Sequence, residues 1–371
     1  VEKGEKSEYK DWFTVFDYPV RFLHRPHLYA NTYKVGWDGN AEEYKTYLEK
    51  TFKETKVPVE VVDDDGPIIE PTFKAWWGVP DMPKINFKND GARQWALDVT
   101  EHWIKNFDID GWRMDVAKEL DFSFWKDFRD VAYSAKKDIL LISEIFGDTS
   151  QWLQGERFDG TMNYSFRETM TDYFATKRID NKEFANSLAN LYSMYSFEAL
   201  SSCQNLLSSH DVKRFLNRCG ANTDGMFGAI FLQATFPGIA GIYYGDEIGL
   251  GGADDPFNRE PFPWESEDKW NKDLLKFTSE LMNIKTSQPI LRYGNFEMVT
   301  YDDNYVIFRR VLNDESLLCI VNRDLNNKDI ELNTNAHSVD MVYGDCSIEL
   351  DSGKLKITDI ADNFGLIIKE S

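Results

Sequence analysis

The sequence predicts an α/β fold in which short parallel strands alternate with helices, followed by a small antiparallel β domain. Three short apolar or β-prone runs end in the carboxylates Asp115, Glu144 and Asp211, and a helix-like segment follows each. After about Arg292 the pattern changes to short strand-like runs with turns rich in Asn and Asp. Carboxylates that end successive parallel strands can converge at one end of the array, so a common site is predicted there.

Composition limits the classes of function. The chain has 371 residues, 42% of them hydrophobic, and a formal net charge of −21. No apolar run approaches the roughly 20 residues of a membrane-spanning helix, and the negative charge argues against nucleic acid. Four cysteines without a CxxC pair favour free thiols and a cytoplasmic location. Secretion stays open, because the chain begins with Val1 and an upstream signal could have been removed.

The chain divides into three predicted domains, residues 1–87, 88–291 and 292–371. The first lacks the βα pattern and carries one charged helix over residues 41–55. At the start of the second, Asp90 is predicted as the N-cap of a helix, because apolar side chains follow it at helical spacing.

Alternating apolar strands and helices fill the second domain. Its strands are predicted over residues 109–116, 139–145, 159–163, 205–208 and 239–244. Its clearest later helices are predicted over residues 122–136, 227–235 and 269–286. In the third domain, strands are predicted over residues 305–310, 316–321, 329–332 and 366–369. The gap from Asp115 to Glu144 fits one βα step, and the gap from Glu144 to Asp211 leaves room for two.

The carboxylates suit cleavage of a glycosidic bond with retention, which needs a nucleophile and an acid about 5–5.5 Å apart. Arg113 lies two residues before Asp115, so on a strand both side chains share a face and the guanidinium favours an ionised nucleophile. Glu144 follows an apolar run, where burial would raise its pKa and suit a general acid. Asp211 would hold sugar hydroxyls or stabilise the transition state, and His210 could donate a hydrogen bond to the sugar.

Each of these residues by itself has a structural interpretation. A carboxylate at the end of a strand is more often a helix cap or an exposed charge, and an Arg-x-Asp pair is more often a salt bridge. A single His is more often a satisfied polar residue than a ligand. The order and spacing of the three segments together favour the catalytic interpretation.

Several motifs as a set resemble the α-amylase family, glycoside hydrolase family 13. They lie at residues 82–86, 111–118, 144–146, 163–164, 208–211, 241–249, 255–256 and 259–264. The segment at 82–86 is similar to that of neopullulanases, cyclomaltodextrinases and maltogenic amylases. At Glu119, family members that are true α-amylases commonly have a histidine, so this position is closer to the neopullulanase pattern.

The resemblance implies a (β/α)8 barrel of which strands four to eight are present, an inserted loop domain and a C-terminal antiparallel β-sandwich. It implies retaining cleavage of α-1,4 bonds, with α-1,6 bonds as a further option, in malto-oligosaccharides, starch-type glucans or cyclodextrins. The implied catalytic residues are Asp115 as nucleophile, Glu144 as acid/base and Asp211 as transition-state stabiliser. The implied substrate-binding residues are Arg113, His210, Lys118, Phe146, Asn163, Tyr164, Asp255 and Arg259.

The sequence departs from the family in one region. The family's first region, an Asp…Asn-His segment, is absent, because no Asn-His pair occurs before Asp110. We therefore expect this chain to be the larger piece of a longer polypeptide, with the missing N-terminal segment as a partner beside the α-glucan oligosaccharide. No cofactor and no metal site within the chain are expected, although calcium could bind through the missing segment. Formation of an oligomer is a further option.

Two other functions remain alternatives at this point. One is a non-catalytic glycan-binding or scaffold homologue, since the same fold can serve binding alone. The other is an α-glucan transglycosidase, which shares the glycosyl-enzyme and differs in whether water or a sugar attacks it.

Overall fold

The computed structural model describes residues 1, 3–28, 41–54, 57–79, 81–321, 329–361 and 364–371. They form two compact units. The first comprises Val1–Asp110 with Lys118–Ile139, and the second comprises Gly111–Ala117 with Leu140–Ser371. The predicted domain boundaries at 87/88 and 291/292 stay predictions.

Helices and strands alternate through the middle of the chain, and strands alone occupy its C-terminal part. The α-helices are α1 (Ala41–Glu54), α2 (Asp90–Phe107), α3 (Phe124–Ala135), α4 (Tyr164–Met170), α5 (Asn181–Ser193), α6 (Phe197–Ser202), α7 (Phe215–Arg218), α8 (Asp224–Thr235), α9 (Lys272–Ser287) and α10 (Pro289–Tyr293). The strands before residue 290 are β1 (Phe22–His24), β2 (Val59–Val61), β3 (Ile69–Pro71), β4 (Gly111–Met114), β5 (Leu140–Ser143), β6 (Gly160–Thr161), β7 (Gln204–Leu206) and β8 (Ile239–Gly241). The later strands are β9 (Asn295–Tyr301), β10 (Val306–Leu312), β11 (Glu315–Val321), β12 (Ile330–Asn333), β13 (Val339–Tyr343), β14 (Ser347–Asp351), β15 (Lys354–Thr358) and β16 (Gly365–Glu370).

The first unit contains a small mixed sheet of order β2-β1-β3 and the helices α1, α2 and α3. The predicted helix at residues 41–55 corresponds to α1, and Thr55 lies outside the described residues. The N-cap of α2 is Asn89, whose side chain accepts a hydrogen bond from the Ala92 N–H at 3.0 Å. The prediction of Asp90 as the cap is therefore wrong by one residue. Asp90 already belongs to the first helical turn, where its negative charge interacts favourably with the helix dipole.

The second unit contains a series of parallel strands in sequence order. β4, β5 and β6 pair in parallel, and so do β7 and β8. A parallel bridge between Met162 and Gln204 joins the two groups. Each strand is shorter than its predicted span. β6 and the helices α4, α5 and α6 lie between β5 and β7, where two βα steps were predicted, but the described residues between β5 and β6 form only a short 3-10 helix at Ser150–Trp152.

The C-terminal part of the second unit has two antiparallel sheets, of order β13-β16-β11-β10-β9 and β12-β15-β14. β10, β11, β12 and β16 correspond to the four predicted strands, whereas β9, β13, β14 and β15 were not predicted. One face of the larger sheet shares an apolar core with the smaller sheet through residues such as Leu318 and Leu355. Its other face, with Phe308 and Leu317, packs in the same core as residues of α8 and α9.

Two buried basic side chains contact the end of α8: Lys285 comes from α9, and Arg310 comes from β10 of this sheet. The Lys285 ammonium donates hydrogen bonds to the carbonyls of Ala234 and Phe236 at the end of α8. The Arg310 guanidinium donates to the Thr235 and Gly294 carbonyls at 2.6 and 2.7 Å. The carbonyls of residues 234–236 lie at the C-terminus of α8, where the helix itself supplies no donor, so the two side chains cap α8. Within the described residues, no helix has the length and apolar character needed to cross a membrane.

Candidate active site

The three predicted carboxylates lie around one guanidinium. Arg113 is on β4, and its Nη1 lies 2.8 Å from the Oδ1 of Asp115, just beyond the strand. Its Nη2 donates to the Oε1 of Glu144, which follows β5, and lies 3.9 Å from the Oδ2 of Asp211. The register that places Met114 opposite Ser143 brings the first two carboxylates to the same end of the paired strands. The structure thus unites residues from three separate segments, all of them in the second unit.

Glu144 is the buried member of the set, with only 4% of its surface exposed. Its Oε2 accepts a hydrogen bond from the Val116 N–H at 3.3 Å. Burial first and the hydrogen bond with Asp115 second raise the pKa of Glu144 to about 7, although the charge of Arg113 opposes the rise. A carboxyl group with this pKa can be protonated near neutral pH, which a general acid requires.

Asp115 has the opposite electrostatic environment. Its side chain is 67% exposed, and its pKa is lowered chiefly by the hydrogen bond with Glu144 and then by the charge of Arg113. The sequence indicated the guanidinium as the cause, whereas the structure adds the neighbouring carboxyl as the larger one. The two carboxyl groups therefore have their pKa values shifted in opposite directions, as an acid and an ionised nucleophile need.

Asp211 lies at the other side of Arg113 and is one third exposed. The Nε2 of His210 is 3.0 Å from its Oδ2, and the Nη2 of Arg259 is 3.9 Å from its Oδ1. Arg259 also lies 3.2 Å from Asp255. Three residues with predicted roles (Arg113, His210 and Arg259) thus surround Asp211, and a fourth, Asp255, joins them through Arg259.

Asn258 holds the chain around Asp211 in place, and sequence reasoning missed it. Its buried Nδ2 donates to the carbonyls of Ser209, His210 and Val212 at 3.3, 2.8 and 3.0 Å. The Nε of Arg259 donates to the His210 carbonyl as well, at 2.9 Å. The loop at 255–260 therefore positions the segment at 209–212. The sequence offered one signal for this role: Asn258 lies between the motif segments at 255–256 and 259–264.

Phe146 and Tyr164 form a stacked aromatic pair, with ring centroids 3.8 Å apart and 21° between the planes. Phe146 is 55% exposed, whereas Tyr164 is buried, and its hydroxyl lies 3.1 Å from the Ser209 hydroxyl. Asn163 is also buried and uses its side chain internally, donating to Asn205 and accepting from the Phe166 N–H. An exposed ring offers a flat apolar surface to a sugar, so Phe146 is the accessible member of this group.

The remaining predictions concern Lys118 and metals. Lys118 is exposed and belongs to the first unit, and its predicted role in substrate binding stays a prediction. In the part of the chain that the structure describes, no group of three or more His, Cys, Asp or Glu side chains is arranged to hold a metal ion. Calcium binding through a further segment also stays a prediction.

Comparison with known proteins establishes the family. Residues 72–290 match the model of the alpha amylase catalytic domain, which is more than half of the 371 residues. The chain belongs to the α-amylase family. The resemblance that the sequence motifs indicated is therefore confirmed.

Individual α-amylase family members are similar over most of this chain. It is 34% identical over 324 residues to neopullulanase 2 of Thermoactinomyces vulgaris, covering 87% of this chain and 48% of that protein. It is 31% identical over 334 residues to the cyclomaltodextrinase of Thermoanaerobacter pseudethanolicus, covering 90% and 50%. A solved structure of a cyclomaltodextrinase aligns with a TM-score of 0.80 and 28% identity, covering 100% of this chain and 56% of that one. The chain spans about half the length of the curated relatives it matches.

Proposed function

We propose that this chain carries the catalytic carboxylates of a retaining α-glucan hydrolase. The observation that supports the proposal is the position of Arg113, which contacts Asp115 and Glu144 and lies 3.9 Å from Asp211. Around it, the pKa of Asp115 is lowered and that of Glu144 is raised to about 7. Two carboxyl groups with pKa values shifted apart are the pattern of an acid paired with a nucleophile.

In the proposed first step, the ionised Asp115 attacks the anomeric carbon and Glu144 donates its proton to the leaving glycosidic oxygen. This gives a covalent glycosyl-enzyme and a free sugar hydroxyl. In the second step, Glu144 as a carboxylate removes a proton from water, which attacks the same carbon and releases Asp115. Asp211 would stabilise the positive charge that develops on the sugar ring.

The retaining course is supported by the proximity of the two carboxyl groups. An inverting enzyme separates them by about 6.5–9.5 Å to leave room for water, and a retaining enzyme by about 5–5.5 Å. Asp115 and Glu144 are close enough to share a hydrogen bond and the same guanidinium. This proximity favours the retaining arrangement over the wider inverting one.

The substrate class follows from the relatives together with the surfaces beside the carboxylates. The names cyclomaltodextrinase and neopullulanase support α-1,4-linked malto-oligosaccharides, starch-type glucans and cyclodextrins, with α-1,6 bonds as a second linkage. Phe146 would stack on a glucosyl ring, and His210, Arg259 and Asp255 would bind its hydroxyls. These four groups are between 45% and 58% exposed, as a site open to a long glucan needs.

We further propose that β4 to β8 are strands four to eight of a (β/α)8 barrel that another polypeptide segment completes. Within the described residues, β4 pairs only with β5, and β8 only with β7. A cavity of about 290 Å³ opens between these strands, lined by residues that include Trp112, Ile142 and Ile239. Unpaired strand edges beside an exposed apolar lining favour a further strand-bearing segment as their cover. A native mass of the active species equal to that of this chain alone would overturn this part.

The function is tested with Asp115→Asn in the protein that contains this chain. We expect kcat on maltodextrins to fall by several orders of magnitude while circular dichroism stays unchanged, because the side chain is mostly exposed. Proton NMR during hydrolysis by the unmodified protein should show the α-anomer forming first. A near-normal kcat in the variant, or an initial β-anomer, would contradict the proposed mechanism.

A further inference from the structure

The first unit contains a cleft of about 330 Å³ between two exposed aromatic side chains. Phe16 is 68% exposed and Trp77 is 62% exposed, and both line the cleft. Large aromatic side chains are normally among the most strongly buried, and neighbouring exposed ones mark binding surfaces. The carboxylates of the proposed mechanism all belong to the second unit, whereas every residue that lines this cleft belongs to the first.

The cleft has a preformed floor. Phe73 and Ile69 line it with 2% and 3% of their surfaces exposed and belong to the apolar core of the first unit. The segment of Phe16 is held against this floor, because its N–H donates to the Thr72 carbonyl at 2.8 Å and Val15 forms an antiparallel bridge with Phe73. A ligand would therefore meet a formed surface and lose little affinity to ordering it.

Trp77 has a backbone conformation that its side chain disfavours. Its φ is 49° and its ψ is 23°, in the left-handed region, and Gly78 follows with a φ of 73°. The Val79 N–H closes this turn on the Trp76 carbonyl at 2.8 Å. A bulky residue here is strained, whereas glycine would adopt the conformation freely. Strain and exposure both disfavour tryptophan at this position, and such outliers concentrate at ligand sites.

The polar groups of the cleft indicate the kind of ligand. Glu70 and Lys74 line it together with the rings, so it offers a carboxylate acceptor and an ammonium donor whose charges cancel. Glu70 is 48% exposed and has one long contact with Arg25, at 3.3 Å. A hexose presents a flat C–H face to an aromatic ring and hydroxyls at its rim, which matches this surface. The chain's net charge of −21 also favours a neutral ligand over an acidic one.

We propose that this cleft is an accessory sugar-binding site for an α-glucan chain. Glucosyl rings stack on Trp77 and Phe16, and their hydroxyls bind Glu70 and Lys74. The identity of the sugar as an α-glucan rests on the proposed function, whereas the site itself rests on the geometry of the first unit. Its role is to hold a long glucan, so binding of long chains depends on it and cleavage of short substrates does not.

The test measures maltoheptaose binding by isothermal titration calorimetry in the protein that contains this chain, with Glu144→Gln present to stop hydrolysis. Trp77→Ala is expected to reduce the number of maltoheptaose sites by one per chain. The matched control is Trp95→Ala, an exposed tryptophan of the same unit outside the cleft, which should leave the number unchanged. Trp77→Gly should also lose the site while its Tm stays equal or rises, because glycine removes the left-handed strain.

Unchanged binding in Trp77→Ala and Trp77→Gly would overturn the proposal, as would an equal loss in the Trp95→Ala control. The two proposals fail in different ways. Near-normal hydrolysis by Glu144→Gln would refute the catalytic assignment, while loss of a site in the Trp77 variants would still support the cleft. In the catalytically intact background, Trp77→Ala should leave kcat/KM for a p-nitrophenyl maltoside unchanged, and a large fall there would place Trp77 in the catalytic site instead.

Discussion

Replacing Glu144 with glutamine gives the sharpest test of the acid/base assignment, because the substitution removes the proton and keeps the size. The pKa of this buried carboxyl is raised to about 7. With that value, about 90% of the groups are protonated at pH 6 and about 10% at pH 8. The kcat/KM of the unmodified protein should therefore fall about tenfold between these pH values, since only the protonated form can donate to the leaving oxygen.

In the variant, kcat/KM should be much lower and should no longer depend on pH in this way. General acid catalysis contributes roughly 10²–10⁴-fold, so kcat/KM of Glu144→Gln on maltotriose should fall by about that factor at pH 6. Its remaining activity should be flat between pH 6 and 8. p-Nitrophenolate is a good leaving group, so its oxygen needs little protonation as the bond breaks in the first step. The fall in kcat/KM for p-nitrophenyl maltoside should therefore be much smaller.

The assay compares initial rates on both substrates across pH for the unmodified protein, Glu144→Gln and a control. The control is Glu156→Gln, the same change at a carboxylate whose side chain is 63% exposed, and it should behave like the unmodified protein. An unaltered pH profile with a near-normal rate in Glu144→Gln would contradict the assignment of Glu144 as the acid/base. An equal loss on both substrates would assign Glu144 a role other than proton donation.

Four further predictions concern the site and the stability of the fold. Arg113→Leu should move the alkaline limb of the kcat/KM profile above pH 7, because the charge of Arg113 lowers the pKa of Glu144; an unmoved limb would contradict this. Phe146→Ala should raise KM for maltotriose about three- to tenfold, the equivalent of one aromatic contact of roughly 0.5–1.5 kcal/mol, with little change in Tm. Burial raises the pKa of Asp246 to about 7, so its contribution to stability is present at low pH and is lost as pH rises towards and through 7. Urea unfolding of Asp246→Asn should therefore vary less between pH 4 and pH 8 than that of the unmodified protein. Phe308→Ala should lower the free energy of unfolding by about 3–5 kcal/mol in the same assay, because its ring is fully buried.

Local patterns were sufficient to predict the main helices and the parallel strands. The helical spacing of apolar residues indicated α2, and Asn89 replaced Asp90 as its cap because either side chain suits the position. Which of two neighbouring capping residues accepts the hydrogen bond depends on where the backbone enters the helix. Boundaries of this kind are decided by backbone geometry, and pattern alone leaves them open by a residue or more.

The four strands that were not predicted share weak apolar patterning. β9 and β13 lie at the edges of the five-stranded sheet and β14 at an edge of the three-stranded sheet, where the described part of the chain supplies a strand partner on one side only. Such strands tolerate charged residues, as in the segment of β14. β15 alternates lysine with buried apolar residues over only five positions, and so short an alternation is a weak signal. Pairing with the neighbouring strands of the sheet, and not the local sequence pattern, defines these four strands.

At the site, local sequence was enough to identify which groups are present and which two are adjacent. Arg113 and Asp115 lie two residues apart at the end of a strand, so their contact follows from local geometry. Two kinds of contact join distant parts of the chain. Arg113 reaches Glu144, 31 residues away, and approaches Asp211, which is 211 − 113 = 98 residues away. Asn258 binds the His210 carbonyl, 48 residues away. They required the tertiary structure, because they depend on strand register. A shift of one residue between β4 and β5 would turn Glu144 to the opposite face and remove the raised pKa on which the proposed chemistry depends.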